Sequence, residues 1–369
     1  MVGKVDRLLL ARKRLRKRLP ERMGMPQSKS SRPTQRDIAE LAGVSITTVS
    51  HVVNGTRAVA EDTKAAVLRA IETTGYTGDA IARSLVTGGT RSIGMAISLV
   101  ANPYFATLMQ AIEREASVHG YTVLLADTHD AADTERDTVR ALRSRRVDGL
   151  LITPAPGDGP VIGELVSLDV PTVLIDRLAT RTDVDQVGSE NIQATSALTA
   201  HLATLGHRRI GMISGVPGLS TSEERVLGYR LGLGRSGLTW SSELVACGNS
   251  SREGGALALS TLLALPEPPT ALVVGNDGMM VGVLHEARRR GLRIGRDLPV
   301  VVYDEVEWAD LVDPPLTTMA QPIEEIGRQA VRLLLARIND PGRKAETVRL
   351  APTLRHRESC GCPAVHSLQ

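Results

Sequence analysis

The feature that most restricts the fold of this chain lies beyond Arg91, where short apolar runs alternate with amphipathic helical patterns. The apolar runs are Ile93 to Leu99, Thr122 to Ala126, Gly149 to Thr153, Thr172 to Asp176, Ile210 to Ser214, Ala271 to Gly275 and Val300 to Tyr303. Between them, Tyr104 to His119, Asn191 to Leu205, Asp277 to Arg290 and Ile323 to Ile338 place apolar residues at helical spacing. Such alternation predicts parallel sheets with helices on both faces. Roughly 275 residues are more than one such sheet usually takes, so two α/β lobes are expected. Ligands in open α/β sheets bind outside the carboxyl ends of the strands. Here those ends carry Asp127, Asp176-Arg177, Asn276-Asp277 and Asp304-Glu305, which predicts a cleft lined by acids and an arginine.

Composition narrows the class. Hydrophobic residues at 42% and charged residues at 23% exclude a collagen-like, wholly disordered or disulfide-scaffold chain. Aromatics are only 2%, so the core must be aliphatic. Cys247, Cys360 and Cys362 are too few for a disulfide framework and fit a reducing cytoplasm. Charge is unevenly spread: residues 1–33 hold eleven Lys/Arg against two acids, residues 34–92 balance, and the rest is acidic. The block from Arg12 to Arg18 reads either as a disordered, solvated tail or as an arm for nucleic acid. Leu8 to Ala11 is too short for a signal peptide, and no run approaches the roughly 18 apolar residues a membrane helix needs. A soluble, cytoplasmic protein is expected, with Met25 open as an alternative start.

From Thr34 a different pattern appears. Thr34-Gln35-Arg36-Asp37 has the form of a capping box, and Ile38, Ala39, Leu41 and Ala42 give the helix after it an apolar face. Gly43 ends that helix, and Ser45 can cap a second one carrying Val49, Val52 and Val53. Val59, Ala66, Val67, Ala70 and Ile71 mark a third, ending near Gly75. Asp79 to Val86 is too short for a stable free helix and should order only against something else.

The stretch from Asp37 to Gly55, Asp-Ile-Ala-Glu-Leu-Ala-Gly-Val-Ser-Ile-Thr-Thr-Val-Ser-His-Val-Val-Asn-Gly, resembles the DNA-binding segment of the lactose/galactose repressor (LacI/GalR) family of bacterial transcription regulators. The resemblance continues through Arg83-Ser84-Leu85, Leu205 to Ile210, Gly275-Asn276-Asp277 and Pro315 to Thr318, to about Ser359. It implies a helix-turn-helix over 34–78, a hinge over 79–91, a periplasmic-binding-protein-like domain over 92–359 and a tail over 360–369. It also implies a homodimer, open to tetramerisation, on a palindromic double-stranded operator, governed by a small ligand, most simply a sugar.

Family position and chemistry together assign roles. In a helix-turn-helix the N-terminal residues of the second helix face base edges, which here are Ile46, Thr47, Ser50 and His51, while Thr48 and Val49 are expected to pack inward. His51 stands where the family commonly has Arg, and a single imidazole cannot grip guanine in a bidentate way. The hinge residues Ala82, Arg83 and Leu85 map to the minor groove, with Leu85 as the wedge between base steps. Ligand contacts carry over to Tyr104, Phe105, Asp176, Arg225, Asn276 and Asp304, and Asp127 joins them as a strand-end acid. Asn276 and Asp304 have a lesser alternative reading as loop caps, and Trp308 reads as a stacking wall or as packing within a lobe.

Enzyme signals fail on context. Gly232-Leu-Gly-Arg-Ser-Gly237 fits a dinucleotide fingerprint but follows a helical stretch, not a strand. Cys360-Gly-Cys362 supplies two thiols with no second ligand pair nearby in sequence, so no metal, cofactor or catalytic role is expected. A solute-binding protein of a sugar transporter would share the lobes but not the helix-turn-helix.

Overall fold

The computed structural model describes residues 33–54, 57–76, 89–98, 103–157 and 160–362. The basic arm, the hinge residues Ala82, Arg83 and Leu85, and most of the tail lie outside them. The chain divides after Arg83 into a small and a large unit.

The small unit holds α1 (Gln35–Ala42), α2 (Ile46–Asn54) and α3 (Glu61–Thr74). The capping box forms: the Thr34 hydroxyl accepts from the Asp37 amide at 3.4 Å, and the Asp37 carboxylate accepts from the Thr34 amide at 2.6 Å. Those bonds to Thr34 hold the Asp37 carboxyl below the usual carboxylate range. Gly43 and Gly75 close α1 and α3 with φ of 67° and 64°, left-handed geometry that glycine adopts without strain. Ile38, Ala39, Val49, Val67, Ala70 and Tyr76 form the core, with Ala42 packed against it. Leu41, expected on the buried face of α1, is instead 57% exposed, because the cluster covers its neighbours and leaves it outside.

The large unit contains two six-stranded sheets. The first has the order β11-β5-β4-β3-β1-β2, from β1 (Ser92–Ile97), β2 (Thr122–Asp127), β3 (Gly149–Ile152), β4 (Thr172–Ile175), β5 (Asp185–Ser189) and β11 (Thr347–Leu350), all parallel. The second runs β12-β10-β9-β8-β6-β7, from β6 (Ile210–Ser214), β7 (Val245–Cys247), β8 (Ala271–Val274), β9 (Val300–Tyr303), β10 (Thr317–Ala320) and the antiparallel edge β12 (Thr353–Arg355). Helices α4 (Pro103–Val118), α5 (Ala132–Ser144), α6 (Pro160–Ser167) and α11 (Ile323–Asn339) pack on the first sheet. Helices α7 (Ile192–Thr204), α8 (Ser220–Arg235), α9 (Arg252–Leu263) and α10 (Asp277–Arg289) pack on the second. The chain passes between lobes after β5, after β10 and between β11 and β12, so neither lobe is one continuous segment.

Strand β5 carries polar residues that read as loop, yet Asp185 and Gln186 are buried. Asp185 accepts from Arg337 at 2.9 Å and Arg343 at 3.0 Å, and Gln186 accepts from the Ala179 amide at 2.8 Å. Burial costs a strand little when each polar group finds its partner in the fold. The glycines of α8 also find a use: a Cβ at Gly232 would lie 2.7 Å from the Ser196 carbonyl oxygen of α7. The first glycine of the dinucleotide-like string is thus a helix-packing contact, whereas a Cβ at Gly234 or Gly237 would meet nothing within 4 Å.

Candidate functional site

In the small unit, α2 is capped by Ser45, whose hydroxyl accepts from the Thr48 amide at 3.0 Å and lies 2.8 Å from the Thr48 hydroxyl. That engagement leaves Thr48 half-buried, while Val49 is fully buried as expected. Ile46 is 50% exposed and Thr47 is exposed beside it, whereas Ser50 and His51 are half-buried. Arg36 pairs with Glu40 at 3.3 Å and Lys64 with Glu61 at 3.6 Å on the surface, contacts worth at most about 1 kcal/mol.

In the large unit a cavity of about 290 Å³ opens at the carboxyl ends of strands from both sheets. The first lobe contributes Ser98 after β1, Tyr104 and Phe105 from the first turn of α4, Asp130 after β2, and Asp176 and Arg177 after β4. The second contributes Ser222 and Arg225 from α8, Ser250 after β7, Asn276 after β8, Asp304 after β9 and Gln321 after β10. Asp176 and Asp304 occupy matching places just past a central strand, and both have positive φ, 66° and 87°. Non-glycine residues pay for that conformation and keep it chiefly at functional sites. Gly188 permits the first turn, since a Cβ there would lie 2.7 Å from the Asp176 carbonyl oxygen.

Arg177 is paired with Asp130 and Asp176, while the other buried charges of the cavity are held by neutral groups. Arg225 donates to the Asn191 Oδ1 at 3.0 Å and the Gly275 carbonyl at 2.6 Å, and its guanidinium lies 3.8 Å over the Tyr303 ring. Burial opposes its charge, yet Asp304, Tyr303, Asp176 and Tyr104 together raise its pKa above the ordinary value. Burial pushes the Asp176 carboxyl up, against Arg177, Tyr104 and Arg225, which pull it down. The Tyr104 hydroxyl is also raised, by burial and then by Asp176. Tyr104 and Phe105 meet edge to face at 5.2 Å, giving the polar cavity one aromatic wall. Asn276 is a cap as well as a wall, its Oδ1 accepting from the Met279 amide at 2.9 Å, whereas the Asp304 carboxylate accepts from the Gln321 side chain.

A polar string leaves this cavity through the lobe connections. Asn191, at the first connection, donates to Glu224 at 2.8 Å, and Glu224 pairs with Arg349 of β11 at 2.7 Å. Arg225 is therefore joined through side chains to a strand of the other lobe.

Asp127, Asp277, Glu305 and Trp308 do not line the cavity. Asp127 accepts from the His129 amide at 2.8 Å and shapes the turn, so Asp130, three residues on, takes its place in the wall. Trp308 packs against the aliphatic core of the second lobe instead of walling the cavity. Glu305 turns away to Arg357 at 2.7 Å. Arg177 lines the cavity as the strand-end reading expected, whereas sequence reasoning missed Asp130 and Gln321, and missed the meeting of Cys360 and Cys362 with His201 and His356. A wider cleft of about 720 Å³ is built from the end of α10 and loops preceding β9 and β10, away from the carboxyl ends.

Comparison with known proteins agrees with this architecture. The profile described as bacterial regulatory proteins, lacI family, matches residues 34–79, and that of a periplasmic binding protein-like domain matches 199–360. The HTH-type transcriptional repressor PurR of Pectobacterium atrosepticum is 37% identical over 328 residues, 88% of this chain and 96% of that protein. The ribose operon repressor of Haemophilus influenzae is 34% identical over 88% of this chain and 98% of its own. Among solved structures, the lac repressor dimer bound to operator and the anti-inducer ONPF matches with a TM-score of 0.81 at 27% identity, over 89% of this chain and 99% of that one. A complex of the transcriptional regulator CelR with cellobiose matches with a TM-score of 0.69 at 31% identity, over 89% of this chain and all of the other.

Proposed function

The chain belongs to the lacI family of bacterial regulatory proteins, and from that premise we propose that it is a repressor whose ligand is a small sugar held between Asp176 and Asp304. The observation that carries this is the pair of buried carboxylates, one from each lobe, with Arg225 beside them. Carboxylates accept and guanidinium groups donate in fixed directions, so together they read the hydroxyls of a polyol, while the Tyr104 and Phe105 wall suits an apolar sugar face. Ligand pockets commonly span about 300–1,000 Å³, so this cavity, at the low end, favours a monosaccharide over a disaccharide.

Binding a ligand to both lobes alters their closure, and the string from Arg225 through Asn191 and Glu224 to Arg349 is a route by which that closure is felt at the connections. The DNA readers are Ile46, Thr47, Ser50 and His51 at the start of α2, acting in a homodimer on a palindromic operator at the nucleoid. The hinge assignment of Ala82, Arg83 and Leu85 belongs to the same proposal. We read no catalytic role.

Isothermal calorimetry with pentoses, hexoses, their phosphates and a disaccharide tests the ligand assignment. One monosaccharide should bind the wild type and fail with Asp304→Ala. Unimpaired binding by Asp304→Ala, or binding of the disaccharide alone, removes this reading of the cavity.

A further inference from the structure

At the foot of the second lobe, residues from distant parts of the sequence converge on a point unrelated to the sugar cavity. His201 lies in the last turn of α7, His356 directly follows β12, and Cys360 and Cys362 flank Gly361 in the terminal turn. One nitrogen from each imidazole and the sulfur of each thiol all lie within 4.8 Å of one another. The Cys360 Sγ is 3.4 Å from the His356 Nε2, and the Cys362 Sγ is 3.8 Å from the His201 Nε2.

We propose that His201, His356, Cys360 and Cys362 form a structural site for one zinc ion, which ties the end of the chain to α7. Zinc holds sulfur at about 2.3 Å and nitrogen at about 2.0–2.1 Å in a tetrahedron, which separates the ligand atoms by roughly 3.3–3.8 Å. Two sulfur to nitrogen distances, 3.4 and 3.8 Å, fall at or within that span, and with every ligand atom within 4.8 Å of the others an ion would draw the four together by about 1 Å at most. Donor chemistry points the same way, because two thiolates and two neutral imidazoles select zinc over calcium or magnesium. On binding, each thiol gives its proton to solvent and no electrons move. Two thiolates then neutralise the divalent ion, so the half-buried site carries no net charge. Such a balance suits Cys360, which is fully buried. Four protein ligands also leave no open position, which marks a structural site and not a catalytic one. Gly361, at φ 85°, makes the turn possible, and a Cβ there would lie 2.9 Å from the Gly295 carbonyl oxygen. Without the ion, the terminal segment still packs through Ser359, whose hydroxyl donates to the Val300 carbonyl at 2.7 Å, so the fold does not depend wholly on the metal.

The test uses the full chain, purified under reducing conditions and dialysed against a weak chelator. Elemental analysis should find one zinc per chain in the wild type and in Cys247→Ser, whose thiol is exposed and outside the cluster. Cobalt added to the stripped chain should give the intense visible bands of a tetrahedral sulfur and nitrogen site, with thiolate charge transfer. Cys362→Ser and His201→Gln should weaken binding by more than the roughly 10–100-fold that loss of an outer partner costs. If either variant misfolds by circular dichroism, His356→Ala, at an exposed position, decides with the same readout. Absence of retained zinc and of the tetrahedral cobalt spectrum in the reduced wild type overturns the proposal. So does unchanged affinity in folded variants, or a Cys360 to Cys362 disulfide in protein kept reduced throughout.

Discussion

The small and large units solve opposite problems. The small unit keeps proposed readers at its surface: Ile46 and Thr47 stand exposed at the start of a helix, with Ser50 and His51 half-buried after them, on a core of six buried side chains. The large unit hides its proposed ligand residues: Asp176, Arg225, Asn276 and Asp304 are each less than a tenth exposed, and each is tied to other protein groups. A surface that must meet phosphates and base edges needs positioning but no desolvation. A cavity that holds a small polyol, as proposed for this one, needs dry, fixed polar groups, and it must tolerate buried charge to have them. Damage to the first unit should therefore act through folding and damage to the second through electrostatics, and each should spare the other's function.

The largest expected effect tests the electrostatic side. Arg225→Ala removes a cation whose charge is felt at Asp304 and Asp176 and leaves the Asn191 Oδ1 and the Gly275 carbonyl without their buried donor, a loss of about 1–3 kcal/mol for each group. Thermal unfolding should show the large unit weakened and calorimetry should show no sugar binding, while operator affinity without ligand persists. Operator binding that falls in step with stability would dissolve the distinction between the units.

Ile38→Ala tests the folding side. It empties the centre of a small core and should cost about 2–5 kcal/mol. Operator affinity should collapse in a gel-shift assay with sugar affinity unchanged. A joint loss of both activities would show that the units fold as one.

A smaller effect depends on pH. Burial, with Asp304 adding to it, raises the Asp277 carboxyl to about 6. The folded state thus holds a proton more tightly than the unfolded chain, so this group stabilises fully below about pH 4, and its contribution is lost as pH rises to about 6. Asp277→Asn should raise the melting temperature of the large unit at pH 7 and flatten its fall between pH 4 and 6. A steeper fall in the variant would assign the opposite sign to this carboxyl.

The smallest effect returns to the small unit. Thr34→Ala removes the cap of α1 and should cost about 1 kcal/mol, seen as a modest drop in melting temperature and operator affinity. An effect on sugar binding would again breach the separation.

What could be read in advance followed the same divide. The small unit announces itself locally, because caps, a left-handed glycine and an apolar stripe lie within a few residues of the helices they govern. The alternating lobes and the strand-end acids were legible too, since burial on both faces of a sheet demands continuous apolar runs. Strand β5 was not, because Asp185 and Gln186 are satisfied by Arg337, Arg343 and the Ala179 amide, partners a linear reading does not supply. Asp127 passed for a wall residue because it ends a strand, and only the turn at His129 shows that Asp130 comes forward. Two thiols at the chain end looked incomplete until the fold brought in His201, about 160 residues away in sequence, and His356.

The proposed regulation is that a sugar between Asp176 and Asp304 governs DNA reading by the small unit. Its most direct test is operator affinity, measured by fluorescence anisotropy on the intact chain with and without the sugar identified by calorimetry, in wild type and in Asp304→Asn. The account predicts a shift of about 5–150-fold in the wild type, the usual range of such coupling, and none in the variant, whose affinity without sugar stays unchanged. A shift of equal size in Asp304→Asn would contradict it.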